Sequence, residues 1–532
     1  MKIRTNRIAL VAAAAALALL AACAGSAPRG ASKDLARPEE SIIAEREYAP
    51  RAKMALAPSP SLAAGAPAPA PAQAADQSRD AASGEEYKGI VENRFKKSAE
   101  EAVSTFAVDV DTASYANLRR FLNEGRLPPP DAVRIEELVN YFDYGWKEPA
   151  RGEPIAVTSE AASCPWEPSH RLLAIGLRTR SVSADNLPPS NLVFLVDSSG
   201  SMGSPDKLPL VKRAFSLLAE SLRPQDRVAI VAYAGSAGLV LPPTPGSDKA
   251  RILASLEELS AGGSTAGGEG IVLAYETALQ NLRKGGNNRV ILATDGDFNV
   301  GVSSEEGLVK LIESYRSKGV FLSVLGFGTG NFKDAQMEAL ADKGNGNFGY
   351  IDSVAEARKL LVEEMGATLL AVAKDVKVQV EFDKSAVASW RLIGYENRLL
   401  AAEDFADDKK DAGEMGAGHR VTALYEIEPA AGSGAASLGE VRVRYKKPAE
   451  DQSSLLTFPL AGGGGGYESA SDDLRFAASV AAYGMLLRQS PHKGAADWKL
   501  VSSLARGASG ADASGRRAEF LGLVDRAAAL AK

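Results

Sequence analysis

Residues Leu192–Met202 read LVFLVDSSGSM. Five apolar residues run without a polar break, then Asp197, Ser199 and Ser201 follow at once. A short apolar run closed by turn residues fits a strand buried on both faces, as in a sheet covered by helices on either side. Working outward, strand-like runs recur at Asn191–Val196, Arg227–Tyr233, Arg289–Ala293, Val320–Leu325 and Phe348–Ile351. Helix-length amphipathic segments separate them near 206–222, 248–260, 268–284, 303–318, 332–342 and 353–368. This alternation predicts a doubly wound, mostly parallel α/β domain over 190–368.

The chain on either side reads differently. Segment 91–189 is α+β: a short strand at Phe106–Val110, a helix starting at Thr112 or Ser114, and a break at Pro128–Pro130. A second helix is expected from Asp131 as its cap. Asp109 and Asp111 are read as a strand edge entering a capped helix rather than as a metal loop. Residues 153–183 alternate as strands, and so do DVKVQVEF, VTALYEIEP, EVRVRYKKP and SLLTFPL within 369–461. After the glycines of 462–466, residues 467–532 are helical in pattern. The β-rich segments flanking the α/β unit are expected to pack together, with that unit inserted between them.

The N-terminus carries its own chemistry. Lys2, Arg4 and Arg7 precede an Ala-rich apolar stretch, Ile8–Leu20, which ends in Leu20-Ala21-Ala22-Cys23. This is the layout of a cleavable export signal, residues 1–23, and the last four residues resemble a bacterial lipobox. That resemblance implies lipid attachment at Cys23 and a cell-envelope location facing the periplasm, with Ala24 favouring the outer membrane. Loss of the three cations takes the formal charge from −6 to −9. Residues 24–90, rich in Ala and Pro, read as a disordered tether able to reach on the order of 50–150 Å. The acidic balance and lack of a basic block argue against nucleic acid as a partner. No uninterrupted apolar stretch after residue 23 is long enough to span a bilayer, which argues against a pore. With Cys23 acylated, Cys164 has no intrachain partner and reads as a buried small hydrophobe. The three histidines, His170, His419 and His492, are scattered and form no zinc pattern.

In a doubly wound sheet, ligands bind outside the carboxyl ends of the strands. Asp197, Ser199 and Ser201 fall there, as do Thr265 in the loop SAGGSTAGGEG and Asp295 in VILATDGDFNVG. Two carboxylates and three hydroxyls form an all-oxygen donor set. Such a set suits a hard cation, Mg²⁺ first, with Ca²⁺ or Mn²⁺ as alternatives.

DSSGSM, GGST and TDGD together resemble the metal-ion-dependent adhesion site of von Willebrand factor type A domains, a Rossmann-like fold. The resemblance implies that Ser199, Ser201 and Thr265 contact the metal while Asp197 and Asp295 hold it largely through water. It also implies that an Asp or Glu carboxylate from a protein partner completes the coordination. Over roughly 95–525 the chain is similar to bacterial YfbK-type von Willebrand A lipoproteins. The expectation is a membrane-anchored, non-enzymatic binding protein. The competing readings are a metal-assisted hydrolase, with Glu269 as the candidate base, and an envelope assembly factor whose metal is purely structural.

Overall fold

The computed structural model describes residues 85–532 apart from 265–266, 297–304, 331, 365–369, 411, 434–435, 449 and 463–464. The first part contains β1 (Lys96–Lys97), β2 (Val103–Ala107), α1 (Ala113–Asn123), α2 (Ile135–Asn140), β3 (Ile155–Cys164) and β4 (Glu167–Thr179). The α/β unit follows with β5 (Ser190–Asp197), α3 (Leu208–Ser221), β6 (Arg227–Tyr233), β7 (Ala237–Pro245), α4 (Lys249–Glu257) and α5 (Gly267–Gln280). It continues through β8 (Asn287–Thr294), α6 (Glu305–Arg316), β9 (Phe321–Phe327), α7 (Asp334–Lys343), β10 (Phe348–Ile351) and α8 (Val354–Arg358). The last part holds β11 (Ala371–Phe382), β12 (Val387–Ile393), β13 (Met415–Gly416), β14 (Arg420–Pro429), β15 (Ser437–Lys446) and β16 (Ser453–Ala461). Helices α9 (Asp472–Arg488), α10 (Trp498–Gly507) and α11 (Arg516–Leu530) close the chain.

The central sheet has the order β10-β9-β8-β5-β6-β7. Strand β5 lies in its middle, parallel to both β6 and β8, and every one of its residues is buried. Its side chains alternate between two cores: Leu192, Phe194 and Val196 pack with α3, while Val193 and Leu195 face the opposite layer with α5. Two-sided burial is the reason its sequence shows no polar alternation. Strand β7 departs from the expected pattern. It pairs antiparallel with β6 at the sheet edge and carries Pro242, Pro243 and Pro245, residues that a central strand would exclude.

Strands from before and after the α/β unit pair with one another. β4 pairs antiparallel with β14, and β2 with β11. The resulting two sheets enclose a core that includes Phe106, Ile175, Val380, Trp390, Tyr425 and Val443. On the other face of the β4–β14 sheet, Leu172 and Ala174 meet α1, α2 and the C-terminal helices in a further core.

Several local expectations need correction. The folded part already includes Glu85–Tyr87, inside the stretch read as tether: Glu86 bridges to Lys333 and Glu85 pairs with Arg120 at 2.9 Å. Asp131 does not cap the second helix. It accepts a hydrogen bond from the Ile90 amide, and a 3₁₀ turn at Pro130–Ala132 precedes α2. Thr112 stands at the start of α1 but makes no side-chain cap. Asp109 and Asp111 do not serve a helix start: both face Arg398, and Asp111 accepts from the Phe348 amide. The helix expected over 353–368 is α8 followed by a π turn at Lys359–Glu363.

Candidate metal centre

Strand β5 ends in Asp197 at the carboxyl edge of the sheet, where it is fully buried. One carboxylate oxygen, Oδ1, accepts the Ser199 amide at 2.9 Å. The other, Oδ2, accepts from the hydroxyls of Tyr233 at 3.2 Å and Thr294 at 3.3 Å. Burial pushes the Asp197 carboxyl above its ordinary pKa, and the nearby Asp295 charge adds to the rise, while the Ser199 and Tyr233 donors oppose it. The Ser199 and Ser201 hydroxyls lie 3.1 Å apart, brought together by a 3₁₀ turn at Gly200–Gly203 rather than by the alternation of an extended chain. Asp295 follows β8, is buried, and accepts the Lys207 ammonium on Oδ2 at 2.9 Å.

Backbone bonds fix the loops. Ser198 is anchored on the Tyr233 carbonyl through both its amide and its hydroxyl. Gly200 N–H donates to Gly263 O at 3.0 Å, and Gly262 N–H donates to Ser198 O at 2.8 Å. These two bonds lay the 260–264 segment against the β5 loop. Gly263 has a φ of +81°, a conformation that favours glycine. Thr265, two residues on, lies outside the described residues, as does Cys23. Asp197, Ser199, Ser201 and Asp295 therefore share one sheet edge. Glu269, the candidate hydrolytic base, is solvent-exposed in the first turn of α5.

Three contributors escaped the sequence reading: Lys207, Tyr233 and Thr294. Lys207 had a signal. It stands at the N-terminus of α3, the helix end where the dipole disfavours a cation. A lysine placed there calls for an anionic partner, but that partner is 88 residues away.

The donor chemistry fits a hard cation. Two fully buried carboxylates stand at this edge and one of them, Asp295, pairs with the Lys207 ammonium, a charge balance that one further cation would serve. Among the described residues no three His, Cys, Asp or Glu side chains gather as a metal-holding group. A metal held here would need the serine hydroxyls as well as the carboxylates.

Known family patterns match this chain in three places. The pattern described as von Willebrand factor covers residues 81–174, and von Willebrand factor type A domain covers 191–363. The one described as Uncharacterized protein YfbK, C-terminal, covers 367–438 and 430–530. Uncharacterized protein YfbK of Escherichia coli (strain K12) is 42% identical over 466 residues, spanning 83% of this chain and 80% of that one. The chain belongs to the YfbK family. Uncharacterized protein sll0103 of Synechocystis sp. is 29% identical over 307 residues, 55% of this chain and 70% of that one. Among solved structures, a von Willebrand factor type A protein from Catenulispora acidiphila is similar, with 16% identity and a TM-score of 0.38 over 69% of this chain and 90% of that one. For the YfbK family member described here, residues 191–363 are thus a von Willebrand factor type A domain, and the edge bearing Asp197 and Asp295 is that domain's loop face. No helix among the described residues is long and apolar enough to cross a membrane.

Proposed function

We propose that this chain is a membrane-anchored envelope lipoprotein whose type A domain holds a divalent cation and, through it, binds an acidic side chain of a protein partner. The observation that carries the reading is the convergence of buried Asp197, Ser199 and Asp295, with the exposed Ser201, at one sheet edge. Ser199 and Ser201 supply hydroxyl ligands, with Thr265 as the third; Asp197 and Asp295 supply the negative charge. Tyr233 and Thr294 orient the Asp197 carboxylate from behind. When bound, Mg²⁺, or Ca²⁺ or Mn²⁺ in its place, would supply the Lewis acidity that a partner Glu or Asp completes. Cys23 would carry the lipid that holds the chain on the membrane, the outer one by preference, and residues 24–84 would be its tether. Two sequence features support the anchoring: the lipobox-like Leu20-Ala21-Ala22-Cys23 and the Pro/Ala composition after it.

The test is affinity capture from solubilised membranes with wild-type chain and Asp197→Ala, each in Mg²⁺ and in EDTA. The expected result is a partner retained only by wild type in Mg²⁺. A partner that stays bound to Asp197→Ala in EDTA would overturn the reading. Anchoring is checked separately by palmitate incorporation, expected in wild type and absent from Cys23→Ala.

A further inference from the structure

The buried ion pair between Lys207 and Asp295 does more than join two loops. We propose that Lys207 is a specificity-determining residue of the metal centre: its ammonium weakens the hold on the cation and makes an anionic group the preferred last ligand. This rests on the metal-centred reading above.

The geometry points to a fixed ammonium rather than a mobile surface lysine. Lys207 Nζ lies 2.9 Å from Asp295 Oδ2, and the two side chains are 10% and 0% exposed. The stem is pinned across Gly328, just after β9: a Cβ at that glycine would come within 2.3 Å of Lys207 Cγ. Gly328 itself has a φ of +73°, and its carbonyl accepts the Tyr350 hydroxyl at 2.8 Å. The ammonium thus enters from the β9 side, whereas Ser199 and Ser201 stand on the loop after β5. Among the described residues its one hydrogen bond is to Asp295. It is also held at a helix N-terminus, where the dipole works against it. Two costs, burial and an adverse dipole, are accepted for one contact with a residue of the candidate centre.

The charge balance gives the consequence. Asp197 and Asp295 bring two negative charges and Lys207 one positive, so the residues alone sum to a single negative charge. A centre of that charge holding a divalent ion is net positive, and an anion is favoured as its last ligand over water. With a neutral residue at 207 the loaded centre would be neutral, holding its ion more tightly and attracting a carboxylate less. An ammonium bonded to a ligand carboxylate repels the ion at short range in a buried site, where screening is weak. A lysine that served only as a strut would have the opposite signature: its removal would loosen the loops and weaken cation binding.

The experiment titrates purified full-length chain with Mn²⁺, reading free Mn²⁺ by electron paramagnetic resonance, with and without acetate as the carboxylate probe. Wild type, Lys207→Met and Lys207→Gln are compared after their melting curves are recorded. The expected result is Mn²⁺ bound about ten-fold more tightly by both variants. Acetate should tighten Mn²⁺ binding in wild type and have little effect in the variants. Variants that fold but bind Mn²⁺ equally or more weakly than wild type overturn the inference and leave the metal centre standing. Variants that cannot fold make Lys207 a strut and overturn it too. Absence of Mn²⁺ binding in wild type and both variants would remove the metal centre and this inference with it.

Discussion

The Arg119 guanidinium lies 2.6 Å from the Glu356 carboxylate, joining α1, which precedes the type A domain, to α8, its last helix. The same guanidinium reaches Asp352 at 2.6 Å and Glu519 of α11 at 3.0 Å. Glu356 in turn accepts from the Tyr141 hydroxyl at 2.7 Å. One arginine therefore gathers the N-terminal segment, the type A domain and the C-terminal helix. Two neighbouring clusters act alike: Arg134 pairs with Asp334 and Glu338 of α7, and Arg398 with Glu338 and Asp342. The type A domain is held to its flanking elements by buried charge as well as by apolar packing.

Removing Arg119 leaves the Asp352 and Glu356 carboxylates, whose side chains are 8% and 1% exposed, without their guanidinium. Arg119→Ala is expected to lower stability by about 3–5 kcal/mol, since it leaves uncompensated buried carboxylates. Arg119→Lys should recover only part of this, because an ammonium cannot reproduce the planar fork that meets Asp352 with both Nε and Nη2. Urea denaturation read by tryptophan fluorescence measures both. A loss under about 1 kcal/mol for Arg119→Ala would show that the Arg119 cluster is not what holds the domain to its flanking elements.

Tyr233 connects the packing of the sheet to the candidate centre. Its ring is buried against Gly270 of α5, where a Cβ would sit 2.9 Å from Tyr233 Cβ, and its hydroxyl supports Asp197 Oδ2. Tyr233→Phe keeps the ring and deletes the donor. The ionised form of Asp197 then becomes costlier, and protons compete better for it. Mn²⁺ affinity near neutral pH is expected to fall about three- to ten-fold, with a stability change of about 1 kcal/mol. Unchanged affinity in a folded variant would show that the Tyr233 hydroxyl does not tune Asp197.

How much of this was legible in the sequence follows from what each element has to satisfy. Strand β5 was legible because Leu192, Phe194 and Val196 fill one core while Val193 and Leu195 fill the other, leaving no polar position. Asp197 and Asp295 were placed at one edge by topology, since Asp197 ends one central parallel strand and Asp295 directly follows its neighbour. Strand β7 was hidden because its prolines and its exposed Leu239 and Val240 belong to an edge, where neither alternation nor continuous apolarity is demanded. Asp131 looked like a cap because capping residues are recognised locally, yet its carboxylate serves the Ile90 amide, 41 residues away. Lys207 was missed for the same reason: its meaning depends on Asp295, brought in by the fold alone.

Cys164 is buried and free, in a core with Trp166 and Leu172. Burial pushes its thiol well above the ordinary cysteine pKa, with the Glu426 charge adding to the effect. In a Cys23→Ser chain the native protein is expected to resist a thiol reagent at pH 8 and to react fully in denaturant. Fast native labelling would place Cys164 in a thiolate-favouring environment that its packing does not provide.

Glu136 is the clearest internal source of pH dependence. It lies in the first turn of α2, is buried, and its Oε2 has no hydrogen-bond partner among the described residues. Gly394, with a φ of +78°, closes over it; a Cβ there would meet Oε2 at 2.6 Å. Burial foremost, and then the charge of Glu396, push its carboxyl up to about 7, against the pull of Arg488. The folded state therefore holds this proton more tightly than the unfolded chain, whose glutamate titrates near 4.5. The stabilising contribution is fully present below about 4.5 and is lost as pH rises through about 7. Glu136→Gln keeps the shape and removes the ionisation. The variant should match wild type near pH 4.5 and exceed it by about 1–3 kcal/mol near pH 8.5, seen as a melting-temperature gap that opens with pH. A gap that stays constant across that range would mean the carboxyl is already ionised at low pH and that Arg488 outweighs its burial.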